Sequence, residues 1–145
     1  MLFRSPKVHH FPLYKGATVI TPNHHEALAF AHLPAWGQQD LLAVAGKELL
    51  RKLEVTAILV TRGEEGMSLF EDGQVTHIPA VAKEVYDVTG AGDTVLAALA
   101  LAMASGASLQ EAAVIANHAA GVVVGRAGTA TISRQELLDA LKDRV

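Results

Sequence analysis

Two short β-branched runs constrain this chain more than any other feature: Ala17–Thr21 (ATVIT) and Thr56–Thr61 (TAILVT). Both are apolar without alternation, the pattern of strands buried on two faces. The first ends at Pro22, which cannot continue a central strand. Between them lie two stretches of helical character. Asn23–His32 opens on a good N-cap, with Glu26 three residues on, and Pro34 closes it. Gln38–Leu53 places Leu41, Leu42, Ala45, Leu49 and Leu53 on one face. Buried strands joined through helices imply a parallel pair with a crossover, and hence the α/β class.

The rest of the chain fits that class. Met67–Phe70 and Gln74–Ile78 alternate around Asp72-Gly73, a strong hairpin signal. Helices are expected over Thr94–Ser105, over Leu109–Val124 with a Ser108/Glu111 capping box, and from a Ser133/Glu136 box to near Asp143. Residues 1–14, MLFRSPKVHHFPLY, carry two prolines and no clear period. They read as an irregular arm, with residues 15–145 forming the structured domain. Two parallel strands and a hairpin make a small sheet for so many helices, so further strands are expected on the N-terminal side of a larger fold.

Composition removes several function classes. Half of the 145 residues are hydrophobic and the net charge is −3, so a globular chain with no electrostatic case for nucleic acid or an anionic membrane is expected. The longest apolar stretch, Val95–Ala104, is too short to span a bilayer, and no signal peptide is visible at the start, so the expected location is cytoplasmic. With no cysteine, disulfides and thiolate metal sites are excluded. The histidine pairs His9/His10 and His24/His25 lack the spacing of a zinc-binding helical face and read as loop or surface residues.

Chemistry concentrates in Asp87–Thr94, DVTGAGDT, set directly against an alanine-rich helix. Helix N-termini expose unpaired N–H groups and a partial positive charge, so anions settle there. Glycine lets successive amides converge on one point. Gly90, Ala91 and Gly92 therefore suit a phosphoryl group. Asp93 has two readings: a plain helix cap, or the base that takes a proton from an attacking hydroxyl. An ordinary aspartate, with a pKa of about 3.9, is a weak base, so in the second reading orientation counts for more than proton affinity. The loop is not a Walker motif, since no G-x-x-x-x-G-K-[ST] occurs.

DVTGAGDTVLAALA resembles the C-terminal signature of the ribokinase-like (PfkB) carbohydrate kinases. The resemblance implies a three-layer α/β/α fold, an anion hole at Gly90–Gly92 and Asp93 as catalytic base. TPNHHEA is similar to the family's N-x-x-E segment, which implies that Asn23 and Glu26 lie near the phosphates and hydrated Mg²⁺. ILVTRGEEGMSLF resembles the nucleotide-binding strand and turn, implying Thr61, Arg62 and Gly63 beside ATP. ANHAAGVVVGRAGTATIS resembles the closing segment, implying Asn117 near the adenine and Gly128 at the nucleotide pocket. Asp87 and Thr89 match positions that hold a monovalent cation, K⁺ in some members. Within the family, EVYDVTGAGDTV and the G-T-x-T-[IV]-S ending are similar to the heptose-7-phosphate kinases of ADP-heptose and lipopolysaccharide synthesis.

Family members are substantially longer, and their N-terminal half supplies the sugar pocket. The chain is thus expected to be the ATP-side, C-terminal half. Two functions remain open: a sugar or sugar-phosphate kinase, or a nucleotide-binding fragment without turnover. An unrelated α/β binding domain is a third, which would make the signature a coincidence. Uncovered strand edges and apolar surface imply either a homo-oligomer or an N-terminal segment that completes the fold.

Overall fold

The structure, a computed structural model, describes residues 1–4, 7–34, 41–82 and 84–143. Residues 38–40 of the helix expected from Gln38 lie outside the described residues. The chain divides into two compact units, residues 1–62 with 67–77, and residues 63–66 with 78–145.

The first unit is built on a five-stranded sheet in the order β1-β2-β3-β4-β5. These strands are β1 (Phe3–Arg4), β2 (Val19–Ile20), β3 (Ala57–Thr61), β4 (Met67–Glu71) and β5 (Gln74–Ile78). The two constraining runs pair as expected: β2 is parallel to β3, with Val19 opposite Ala57 and Ile20 opposite Ile58. The crossover between them carries α1 (His24–Phe30) and α2 (Leu41–Leu53). Asn23 and Glu26 form the anticipated capping box on α1. In the hairpin, Asp72 and Gly73 both have positive φ, at 47° and 73°, the combination that a right-twisted two-residue turn needs.

Residues 1–14, expected as an irregular arm, carry two elements. Phe3–Arg4 pairs in parallel with Val19–Ile20, and Val8–Tyr14 forms a 3₁₀ helix. Phe11 is fully buried and stacks on Phe30 with centroids 4.4 Å apart. A period search misses such a segment because a short 3₁₀ helix repeats at three residues, not at 3.6. Its aromatic side chain joins Ile20, Leu49, Ile58, Val60 and Phe70 in one core.

In the second unit, α3 (Ala91–Ala104) packs on α4 (Leu109–Val123), and α4 on α5 (Arg134–Lys142). Ala112, Ala113, Ala116 and Ala119 are all fully buried on α4. Both serine–glutamate capping boxes form, on α4 and on α5. Among the described residues, no helix is long and apolar enough to cross a membrane.

One contact in the first unit is tight enough to test. A Cβ added to Gly46 on α2 would fall inside the buried ring of Phe70. Alanine gains about 1 kcal/mol of helix propensity over glycine, but overpacking a core costs about 1–3 kcal/mol. Gly46→Ala is therefore expected to lower the urea midpoint, and Gly46→Ala with Phe70→Leu to recover part of the loss.

Candidate functional site

Parallel strands in an α/β sheet present ligand sites at their carboxyl ends. In the first unit that end gathers Asn23, Glu26, Thr61 and Arg62. Asn23 bridges to Thr61, and the Thr61 amide donates to the Pro22 carbonyl at 3.0 Å. The capping box occupies part of the pair: Glu26 Oε2 accepts the Asn23 amide at 2.9 Å, and Asn23 Oδ1 accepts the Glu26 amide at 2.8 Å. Glu26 Oε1 takes no part in it. Arg62 donates to the buried Ser68 hydroxyl at 3.4 Å. In the second unit, Gly63 (φ +58°) opens a 3₁₀ turn over Gly63–Glu65.

The glycine loop also belongs to the second unit, and its placement begins upstream. The Asn117 side-chain amide, buried on α4, donates to the Pro79 carbonyl at 2.8 Å. Gly121 on the same helix lies close to Val81. The amides of Tyr86 and Asp87 both donate to the Val124 carbonyl, at 2.7 and 3.0 Å. Pro79, Val81, Tyr86 and Asp87 are thus each held against α4 or the Val124 that follows it, with Asp87 at the helix's C-terminal end.

Asp87 then joins two loops. Its Oδ1 accepts the Thr89 amide at 2.8 Å and its Oδ2 accepts the Gly128 amide at 3.0 Å. Hydrogen bonds from the Thr89 side chain, then from the Thr89 and Gly128 amides, hold its carboxyl below the usual aspartate range. Gly90 adopts the left-handed conformation, φ +78°, and a Cβ there would meet Thr129 Cγ2 at 3.0 Å. Asp87, Thr89, Gly90, Gly128 and Thr129 therefore form one cluster.

The helix starts earlier than the sequence pattern placed it. Gly90 is the N-cap of α3, no side chain caps it, and Asp93 is the third helical residue. Asp93 as a helix cap is corrected accordingly: its exposed carboxylate caps nothing. The Ala91 amide donates to the Val88 carbonyl at 3.1 Å, so it closes the turn instead of facing outward. Gly92 and Asp93 amides have no partner among the described residues, as the first turn of a helix leaves them. They sit with the exposed Asp93 carboxylate in the field of the helix dipole.

Several residues of the second unit lie inside the quoted segments but were not singled out from the sequence. Val124 acts through its carbonyl alone, which no side-chain pattern reports. Gly66 has φ +88°, and a Cβ there would fall inside the Ile78 carbonyl and the Ala80 amide. Arg126 donates to the Thr131 carbonyl at 2.7 Å and pairs with Glu136 at 2.6 Å, tying down the loop that contains Gly128 and Thr129. Among the described residues, no three His, Asp or Glu side chains converge as a metal cluster.

A family model described as pfkB family carbohydrate kinase matches residues 7–136. The chain is 50% identical over 137 residues to the Bifunctional protein HldE of Geobacter sulfurreducens, covering 94% of this chain and 28% of that protein. It is 53% identical over 138 residues to the Bifunctional protein HldE of Shewanella amazonensis, covering 94% and 29%. The chain thus spans less than a third of these relatives. Arabidopsis thaliana ribokinase, solved with ribose and ATP, is 31% identical with a TM-score of 0.81, covering 90% of this chain and 42% of that one. Escherichia coli phosphofructokinase-2, at 18% identity and a TM-score of 0.85, shares the fold over 97% of this chain and 46% of its own.

Acid should loosen the second unit in a defined window. Bonds to the Ser133 amide and side chain, then to Arg126, lower the Glu136 carboxyl from 4.5 to about 2. A group depressed in the folded state stabilises above its unfolded value and loses that contribution as pH falls toward the folded one. Glu136 contributes in full above 4.5 and progressively less toward 2, and Asp87 acts in the same direction. In thermal melts near neutrality and at about pH 3, Glu136→Gln should show a smaller acid-induced drop in Tm than the parent.

Proposed function

This chain belongs to the pfkB family of carbohydrate kinases, and we propose that it is the ATP-facing part of a sugar kinase acting on a heptose 7-phosphate or a related sugar phosphate. The observation that carries this reading is the start of α3. A glycine cap leaves the Gly92 and Asp93 amides unpaired, and the Asp93 carboxylate stands exposed beside them.

In the proposed reaction, the helix-start amides meet the negative charge on the transferring phosphoryl oxygens. The Gly90–Gly92 loop sets their direction, while Ala91 holds the turn through Val88. The acceptor sugar's hydroxyl oxygen forms the new bond to the γ-phosphorus as the bond to the β,γ-bridging oxygen of ATP breaks. Asp93 orients that hydroxyl and accepts its proton. Phosphoryl transfer depends mainly on such positioning and charge neutralisation.

Thr61, Arg62 and Gly63 are assigned to the nucleotide in this reading, as are Asn117 and Gly128. Asn117 acts through the segment it pins, since its own amide nitrogen is engaged with Pro79. Gly128 acts through the loop that Asp87 holds. Asn23 and Glu26 are assigned to the Mg²⁺ side of the phosphates, and the oxygen left outside the capping box fits a hydrated cation. The metal would supply charge neutralisation on the phosphates. Asp87, its carboxyl held below the usual range by the Thr89 side chain and then by the Thr89 and Gly128 amides, and Thr89 are assigned to a monovalent cation such as K⁺.

A second reading is nucleotide binding without turnover. Both readings require MgATP binding, measurable by calorimetry on this chain. Transfer of labelled γ-phosphate to a heptose 7-phosphate separates them, because only the kinase reading gives product. Where turnover is measured, Asp93→Asn should lower kcat about 10²- to 10⁴-fold with little change in ATP affinity. Near-parental turnover in that variant would remove the base assignment.

A further inference from the structure

We propose that His77, acting through the buried hydroxyl of Ser68, is a positioning residue for Arg62 at the carboxyl end of β3. The inference rests on the reading above, in which Arg62 faces nucleotide phosphates.

The starting point is a serine where an aliphatic residue would be expected. Ser68 on β4 pairs with Val60 on β3, two positions along from the pair Phe70 and Ile58. Paired and alternate positions share a sheet face, so Ser68 lies on the face that Val60, Ile58 and Phe70 give to the core. It is 0% exposed. A hydroxyl there is costly unless its bonds are made.

Ser68 makes them in two directions. Arg62 Nη1 lies 3.4 Å from Ser68 Oγ, and His77 Nδ1 lies 2.9 Å from the same oxygen. A guanidinium only donates, so the serine oxygen accepts from Arg62. With the His77 ring hydrogen on Nε2, the serine hydrogen points to Nδ1, and this is the tautomer the proposal takes. The two-residue turn at Asp72-Gly73 sets this alignment by bringing His77 on β5 opposite Ser68 on β4. His77 itself is exposed; its inner nitrogen orients the buried hydroxyl, and the hydroxyl helps to hold the arginine.

The consequence lies in binding entropy. An arginine is rich in rotamers, and ordering it on association costs affinity. Arg62 follows Thr61, whose backbone is already fixed by Asn23 and Pro22. The Ser68–His77 pair extends that order from backbone to guanidinium before any phosphate arrives.

The test uses this chain with Arg62→Ala, Ser68→Ala, His77→Ala and His77→Asn, the last keeping a side-chain acceptor. MgATP affinity is measured by calorimetry, and order at Arg62 by NMR exchange of its Nε–H in the nucleotide-free chain. Ser68→Ala and His77→Ala should each weaken MgATP binding about 3- to 10-fold, the worth of one hydrogen bond, and should speed Nε–H exchange. The double variant should be no weaker than either single, since both cut one series of bonds. His77→Asn should stay within about twofold of the parent. Parental affinity in both single variants, or unchanged exchange at Arg62, would overturn the proposal. Parental affinity in Arg62→Ala would overturn the phosphate role of the arginine. If the parent binds no MgATP while exchange responds to Ser68 and His77, the nucleotide reading fails and the Arg62–Ser68–His77 linkage stands.

Discussion

The parallel pairing of β2 with β3 sets the terms for the first unit. A parallel pair cannot be closed by a tight turn, so the chain must leave the sheet and return through a crossover, here α1 and α2. Both strands then end on the same side. Pro22 and Asn23 follow one, and Arg62 and Gly63 follow the other. Asn23 lies three residues beyond the end of β2 and caps α1, so the helix begins almost as soon as the strand has ended. Thr61, bridged to that same asparagine, inherits the constraint. Candidate ligand residues in this unit are therefore a by-product of how two short strands terminate.

The second unit solves a different problem, that of holding a glycine-rich loop still. Glycine loses more backbone freedom on ordering than other residues, and DVTGAGDT has two within a few positions. The order comes mostly from residues that flank the glycines. Val124 accepts two amides just before it, Asp87 binds Thr89 and Gly128 across it, and Arg126 with Glu136 braces the segment beyond. Each of these acts on backbone groups through carbonyls or carboxylates. Within the loop, the Gly92 and Asp93 amides are left without a partner among the described residues.

What could be read from the sequence follows from this division. β2, β3, the hairpin and three capping boxes were legible because local chemistry decides them: β-branched runs, an Asp-Gly turn, and serine or asparagine three residues before glutamate. Phe11 was not, because a 3₁₀ helix has no 3.6-residue period and its burial depends on Phe30 in a distant element. The starting point of α3 was misplaced for a related reason. Asp93 looks like a cap on residue type alone, yet a left-handed glycine three residues earlier takes that position. Val124 and Ser68 were invisible as contributors, one because it acts through backbone and the other because a lone serine in MSLF gives no hint of its two partners. The family resemblance was readable because its motifs are long, whereas the role of each residue in them is a question of geometry.

The glycine cap at Gly90 bears on what Asp93 is able to do. Had a serine or aspartate capped α3, its side-chain oxygen would occupy an amide of the first turn, the same amides an anion needs. Replacing such a cap by glycine costs only a few tenths of a kcal/mol, so leaving those donors open is inexpensive. The left-handed conformation that goes with it suits glycine and few other residues, and Thr129 crowds the space a Cβ would fill. Placing the carboxylate three residues into the helix keeps it clear of the backbone it would otherwise bind. Unpaired amides and an exposed carboxylate are thereby kept separate at one helix start, and under the proposed phosphoryl transfer neither would have to be released from the other before substrates bind.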